Sequence, residues 1–160
     1  VDSLLVTIKQ TAMIFIIIIG AHLFSYYITL TKVGNKIIEA VAASGLSAPM
    51  TLILIIVFYL IIGLFMELVG SMLLTLPLVF PLIVELGYDP IWFGVLVVLV
   101  LEIGLVTPPV GMNLFITSQH SGVAVDRVLK GSIPFIFVLL LTVLLLVLFP
   151  NIVLFLPSLM

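Results

Sequence analysis

The 160-residue chain is 64% hydrophobic and 8% charged, with a mean hydropathy of +1.58, which excludes a compact soluble domain and makes lipid its solvent. A formal charge of −2 with no basic run excludes the tracking of nucleic-acid phosphates, and the lack of cysteine excludes disulfides, thiolate metal sites and thiol nucleophiles. The apolar runs are continuous Leu, Ile and Val blocks without the in/out alternation of a membrane barrel, so the fold class is all-α integral membrane.

A first crossing is predicted over residues 11–31, with Lys9 before it and Lys32 and Lys36 after it, since cations stop at the two interfaces of roughly 30 Å of hydrocarbon. Residues 33–44 then place Ile37, Ile38, Val41 and Ala42 on one face and Lys36 and Glu39 away from it, the pattern of an interfacial amphipathic helix. Together residues 1–47 read as one crossing with an arm helix. The start at Val1 without an initiator Met, and the lack of a cleavage pattern after the first apolar run, lead us to expect part of a longer protein.

Residues 48–131 form the middle unit. Ser47 is expected to cap a helix whose first turn holds Pro49, and the chain then runs apolar to Glu85 and Gly87, interrupted only by Glu67. Two arrangements fit residues 49–87: a pair of full crossings joined near Glu67, or two half-length helices that enter and return to the same side. The candidate turn GLFMELVG has no Lys, Arg, Asn or Asp, and Gly63 and Gly70 flank its single acid, which favours re-entry. Non-helical backbone at that depth is tolerated only where protein or a water-filled cavity covers it.

After the turn Gly87-Tyr88-Asp89-Pro90, a helix is predicted from Ile91 to about Val106. It breaks at Thr107-Pro108-Pro109-Val110-Gly111, where two prolines remove backbone donors and Gly111 permits a restart as a short helix through about Thr117. Residues 118–130 read as a polar loop with a capping Asp126. Residues 132–160 hold a last crossing from Ile133 to about Phe155, with Pro150 and Asn151 near its end. The positive-inside rule favours the side of Lys9, Arg127 and Lys130 as cytoplasmic if the middle segment is re-entrant.

The broken helix 91–117 is the strongest functional signal. A break at membrane depth frees carbonyls that coordinate cations and leaves N-terminal amides that attract anions, and transporters build midplane sites this way. The amides of Val110, Gly111 and Met112 beside Thr107 and Asn113 suit a carboxylate or a sodium ion; the plain alternative is a proline kink. Glu67 and Glu102 are acids inside apolar runs, where an unpaired charge faces a cavity, a partner or a proton path. For Glu67 the plain alternative is a turn among headgroups, and for Glu102 a hydrogen bond that supports the break. His22 is expected to be a packing histidine, and Tyr26, Tyr27, Tyr88 and Trp92 an interfacial belt. Gly20 with Ala21, and Gly104, suggest close helix packing. No nucleophile with a base, phosphate loop or zinc signature appears in the sequence, so an enzyme is not expected.

The run from Gly63 to Ile116, with GYDPIWFGV followed by EIGLVTPPVGMNLF, resembles the C-terminal repeat of the large permease (M) subunit of tripartite ATP-independent periplasmic (TRAP) transporters. The likeness extends less sharply over most of the chain. It implies an elevator fold of the ion-transporter superfamily, one inverted repeat with arm helix, re-entrant hairpin and broken helix, in the bacterial cytoplasmic (inner) membrane. It also implies sodium-coupled uptake of a carboxylate such as a C4-dicarboxylate or sialic acid, with no cofactor beyond the coupling ion. The implied partners are a small membrane subunit, a periplasmic substrate-binding protein and the N-terminal remainder of the permease. The implied binding residues are Gly63, Glu67, Gly70, Ser71, Glu102, Thr107, Pro108, Pro109, Gly111 and Asn113, with sodium at Glu67, Ser71, Thr107 and Asn113. The sequence departs from the family's common pattern in carrying Glu67 where an Asp is usual. Two other readings are a carboxylate carrier that works without a binding protein and a non-transporting membrane scaffold.

Overall fold

The computed structural model describes residues 2–108 and 111–159, and every regular element among them is helical. In chain order these are α1 (Asp2–Thr31), α2 (Val33–Ala43), α3 (Ala48–Phe65), α4 (Leu68–Glu85), α5 (Pro90–Leu105), α6 (Met112–Ser121), α7 (Val125–Leu148), α8 (Asn151–Leu154) and a 3₁₀ turn at Pro157–Leu159. Among the described residues, α1, α3, α4 and α7 are long and apolar enough to cross a membrane, and α5 is a shorter apolar helix.

Helix α5 is the axis of the molecule. Apart from Glu102 it is apolar on all sides, and a helix of that kind is buried. Trp92, Phe93, Leu96, Val97, Val100, Leu101, Ile103, Gly104 and Leu105 are all withdrawn from the surface. Helix α3 covers it with Leu52, Ile55 and Tyr59, α4 adds Leu82 and Ile83, and α7 adds Val143. Helices α1 and α7 carry long rows of exposed Leu, Ile, Val and Phe, as expected of faces turned to lipid or to further protein.

Local chemistry explains the boundaries. Asp89 caps α5 by accepting from the amides of Ile91 (2.8 Å) and Trp92 (3.1 Å), with Pro90 at the first helical position, and Gly87 takes φ +81° to end α4. Between α1 and α2 the turn rests on Lys32, a non-glycine residue at φ 53°, a conformation that costs about 1–2 kcal/mol. Packing of α2 on α4 holds it there, with Gly34 close to Pro81 and Ile37, Ile38 and Val41 laid against the core.

Several expectations are corrected. The segment 118–130 is not a loop: α6 continues to Ser121, only residues 122–124 are non-helical, and α7 starts at Val125. Its polar residues sit at the ends of two helices, and the cap is backbone chemistry, with Gly122 at φ +69° closing α6. Asp126 lies in the first turn of α7 rather than capping it, and the last crossing ends at Leu148. Ser47 sits at the start of α3 but makes no side-chain cap; its carbonyl instead accepts from the Thr51 hydroxyl at 3.2 Å. Ala42 is exposed rather than part of the packed face of α2. Gly20 packs against nothing within 4 Å of where a Cβ would stand.

Candidate functional site

Helices α3 and α5 lie side by side with their C-terminal ends together, and Gly63 meets Gly104 there. A Cβ placed on Gly104 would stand 2.6 Å from Gly63 Cα and 3.0 Å from the Leu60 carbonyl; one placed on Gly63 would stand 2.8 Å from the Leu101 carbonyl. Backbone touches backbone, which only glycine at both positions allows. The crossing carries the tip of the α3–α4 hairpin to the level where α5 ends.

At the tip the helical break is short. Met66 and Glu67 alone separate α3 from α4. Both carboxylate oxygens of Glu67 are engaged by the start of α4: Oε1 accepts from the Val69 amide (2.9 Å) and Oε2 from the Gly70 amide (3.0 Å). The acid thus neutralises the positive end of its own helix. Ser71, fully buried, donates its hydroxyl to the Glu67 carbonyl at 2.7 Å. One turn further, Thr75 donates to the Ser71 carbonyl (2.7 Å) and lies 2.9 Å from the Tyr59 hydroxyl. Thr75 has one hydrogen, so Tyr59 supplies the other, and the pair ties the two arms together.

The second break follows α5. The Thr107 amide reaches the Gly104 carbonyl at 3.1 Å, satisfying the acceptor that Pro108 cannot serve, while the Thr107 hydroxyl takes the Ile103 carbonyl. Its hydrogen is committed, so the oxygen can only accept or coordinate. Gly111 restarts the chain at φ +44°, with the Thr107 carbonyl 3.0 Å from where a Cβ would stand, and the Leu114 amide closes on the Gly111 carbonyl at 2.8 Å. No side chain caps α6, in contrast to α4.

Of the residues expected to bind, Glu67, Gly70 and Ser71 form one cluster and Thr107 and Gly111 another, with Gly63 and Gly104 joining the two segments. No hydrogen bond among the described residues links the two clusters. Pro108 is exposed and Asn113 half-buried at the first turn of α6. Glu102 is half-buried on α5 and makes no side-chain hydrogen bond among the described residues, so the supporting bond to the break is not found. Pro109 and the Val110 amide lie outside the described residues. Glu67 is exposed, and with Val69 it lines a cavity of about 410 Å³ opposite Met13, Ile14 and Ile17 of α1.

Sequence reasoning missed two features. Trp92 is not a belt residue but is buried, donating its indole N–H to the Leu146 carbonyl at 2.8 Å. His22 is not packed away; it is exposed and lines a cleft with Ser25 and Thr29 of α1 and Pro77 and Pro81 of α4. The four-residue spacing of those prolines in an apolar run was the available signal.

Residues 1–152 match the family model described as the tripartite ATP-independent periplasmic transporter, DctM component. The chain belongs to this family. It is 37% identical over 150 residues to the C4-dicarboxylate TRAP transporter large permease protein of Pseudomonas aeruginosa, a match that covers 94% of this chain and 35% of that one. It is 35% identical over 149 residues to the ectoine TRAP transporter large permease protein of Halomonas elongata, covering 93% and 35%. To the sialic acid TRAP transporter permease protein of Haemophilus influenzae it is 29% identical over 159 residues, covering 99% and 26%. The chain therefore spans about a third of the length of the curated relatives it matches. No solved structure is significantly similar to it. As TRAP permease sequence with four apolar helices of spanning length, it is an inner-membrane protein, and its relatives are named as permeases rather than enzymes.

Proposed function

We propose that this chain is the C-terminal repeat of a TRAP permease that couples sodium entry to uptake of a small carboxylated solute, a C4-dicarboxylate, a sialic acid or a similar organic acid. A single observation carries the reading: the Gly63–Gly104 crossing brings a hairpin tip and a helix break to one level. The two ends differ in charge preference. The α4 start already holds its own carboxylate, Glu67, which favours a cation nearby. At the break, the committed Thr107 hydroxyl presents lone pairs for a cation, while the α6 start has no side-chain cap and favours an anionic group.

In this proposal residues 49–87 are a re-entrant hairpin, α2 is an arm helix, and α3 to α6 move as one body against α1 and α2. Sodium lies near Glu67, Ser71, Thr107 and Asn113, and the solute carboxylate near the start of α6. Ion filling stabilises the arrangement that binds solute, which is how the two become coupled. A periplasmic binding protein delivers the solute, and a small membrane subunit and the rest of the permease complete the scaffold. The relatives named for C4-dicarboxylates and sialic acid support the solute class.

The test is uptake of labelled carboxylate into proteoliposomes holding the full-length permease and its small subunit, with and without a sodium gradient and the binding protein. Uptake that needs both, and falls in Thr107→Ala while assembly survives, supports the proposal. Uptake that proceeds without the binding protein selects a stand-alone carrier; loss of assembly with unchanged sodium dependence selects a scaffold role.

A further inference from the structure

The prolines of this molecule are not alike in what becomes of the carbonyls they orphan. A proline within or just beyond a helix leaves the carbonyl four residues earlier without its amide donor. For Pro150 that carbonyl belongs to Leu146, and Trp92 supplies the hydrogen. For Pro108 it belongs to Gly104, and the Thr107 amide supplies it. Pro77 and Pro81 lie inside α4 and orphan the carbonyls of Leu73 and Pro77, and no side chain among the described residues donates to either.

Leu73, Pro77 and Pro81 are spaced by four and form one stripe, which faces a stripe of His22, Ser25 and Thr29 on α1 across a cleft of about 370 Å³. The Thr29 hydroxyl donates to the Ser25 carbonyl at 2.9 Å, whereas the His22 ring and the Ser25 hydroxyl have no hydrogen-bond partner among the described residues. Donors on α1 therefore oppose orphaned acceptors on α4 without touching them. His22 stands about 20 Å from Lys9 and about 15 Å from Lys32 along the helix axis, well inside the span those cations bracket. Unmatched polar groups at such depth are costly in hydrocarbon and cheap beside water, and at ~30 Å³ per molecule the cleft has room for several waters.

We propose that the α1–α4 cleft is a hydrated cavity inside the membrane span, in which water bridges His22 and Ser25 to the carbonyls of Leu73 and Pro77. Each water exchanges partners readily, so α1 and α4 are held together without a fixed register.

Cysteine accessibility tests it directly, because this stretch holds no cysteine of its own. Ser25→Cys, Thr29→Cys and Leu76→Cys, which line the cleft, are compared with Leu23→Cys on another face of α1, each in the full-length permease in native membranes. The probe is a charged, membrane-impermeant methanethiosulfonate, which reacts with thiolate and so requires water at the sulfur. Labelling of the cleft positions at least about tenfold faster than Leu23→Cys is the expected result. Leu76 makes no side-chain hydrogen bond, so its variant keeps the test valid if a change at Ser25 or Thr29 disturbs folding. Slow labelling at all three, equal to the Leu23 control, overturns the proposal and assigns the cleft to lipid or to a packed partner helix.

Discussion

Trp92 and Leu146 are joined by a hydrogen bond that fastens the central helix α5 to α7: the indole N–H lies 2.8 Å from the carbonyl that Pro150 leaves without a helical donor. The bond is fully buried, and the two residues lie 54 positions apart in the chain. Trp92→Phe keeps most of the apolar volume and removes the donor. An orphaned buried carbonyl costs about 1–3 kcal/mol, so the variant is expected to unfold earlier in detergent, whereas Trp92→Phe with Pro150→Ala regains part of the loss because an amide returns. Thermal unfolding of both variants checks this.

Gly104→Ala and Gly63→Ala force a methyl group into backbone at 2.6–2.8 Å. Overpacking of this kind costs typically 1–3 kcal/mol, and here the yielding partner is main chain rather than a flexible side chain. Gly20→Ala is the control: nothing stands within 4 Å, so the change is neutral or stabilising by up to about 1 kcal/mol. Equal effects at the three positions would refute the crossing.

Glu67→Ala removes both capping bonds of α4 and is expected to cost about 1 kcal/mol, while Glu67→Asp keeps a capping acid and most of the stability. The two variants separate a cap from an ion ligand. If Glu67 also faces sodium, Glu67→Asp shifts the sodium concentration for half-maximal uptake while leaving the unfolding temperature near that of the native protein.

Gly111→Ala meets two obstacles, the positive φ of 44° and the Thr107 carbonyl and Leu114 side chain at about 3 Å. A loss of about 1–2 kcal/mol follows from the backbone term alone. Because the strain falls on the turn that orients Thr107, uptake is expected to drop further than stability does; parallel measurements of uptake and unfolding in the same preparation decide it.

Tyr59→Phe breaks the tie between the hairpin arms and leaves Thr75 with its bond to the Ser71 carbonyl. The expected cost is about 1 kcal/mol, with the remaining contacts of the ring on Phe58 and Phe93 preserved. Hydrogen exchange at the start of α4 should rise in the variant and not at α7.

The end of α5, the outer ends of α3 and α4 and the packed face of α2 were legible because each is written in local chemistry: paired prolines with Gly111, Pro49 and Gly87 as endpoints, and a one-sided apolar stripe at Ile37, Ile38 and Val41. The extent of α6 and α7 was not, because polar residues at helix ends look like a loop in composition. Trp92 at an apolar boundary reads the same whether it floats at an interface or serves a carbonyl, and its partner lies in another helix. His22, Ser25 and Thr29 share a face that the sequence displays, but the proline stripe opposite them becomes relevant only when α1 and α4 are set side by side. Glu67 stands out in the sequence as an acid inside an apolar run, yet its engagement with its own helix start depends on a two-residue turn that charge pattern alone does not specify.

The glycine crossing also fixes the spacing between the hairpin tip and the helix break. With no side chain between them, Gly63 and Gly104 hold two backbones in contact, and the groups of interest follow closely: Glu67 four residues beyond one and Thr107 three residues beyond the other. On the other side of the crossing Tyr59 and Thr75 tie α3 to α4, so the two arms stay paired where the tip is set against the end of α5. The distance between tip and break is thus set by main chain against main chain, and no change of side-chain rotamer can alter it.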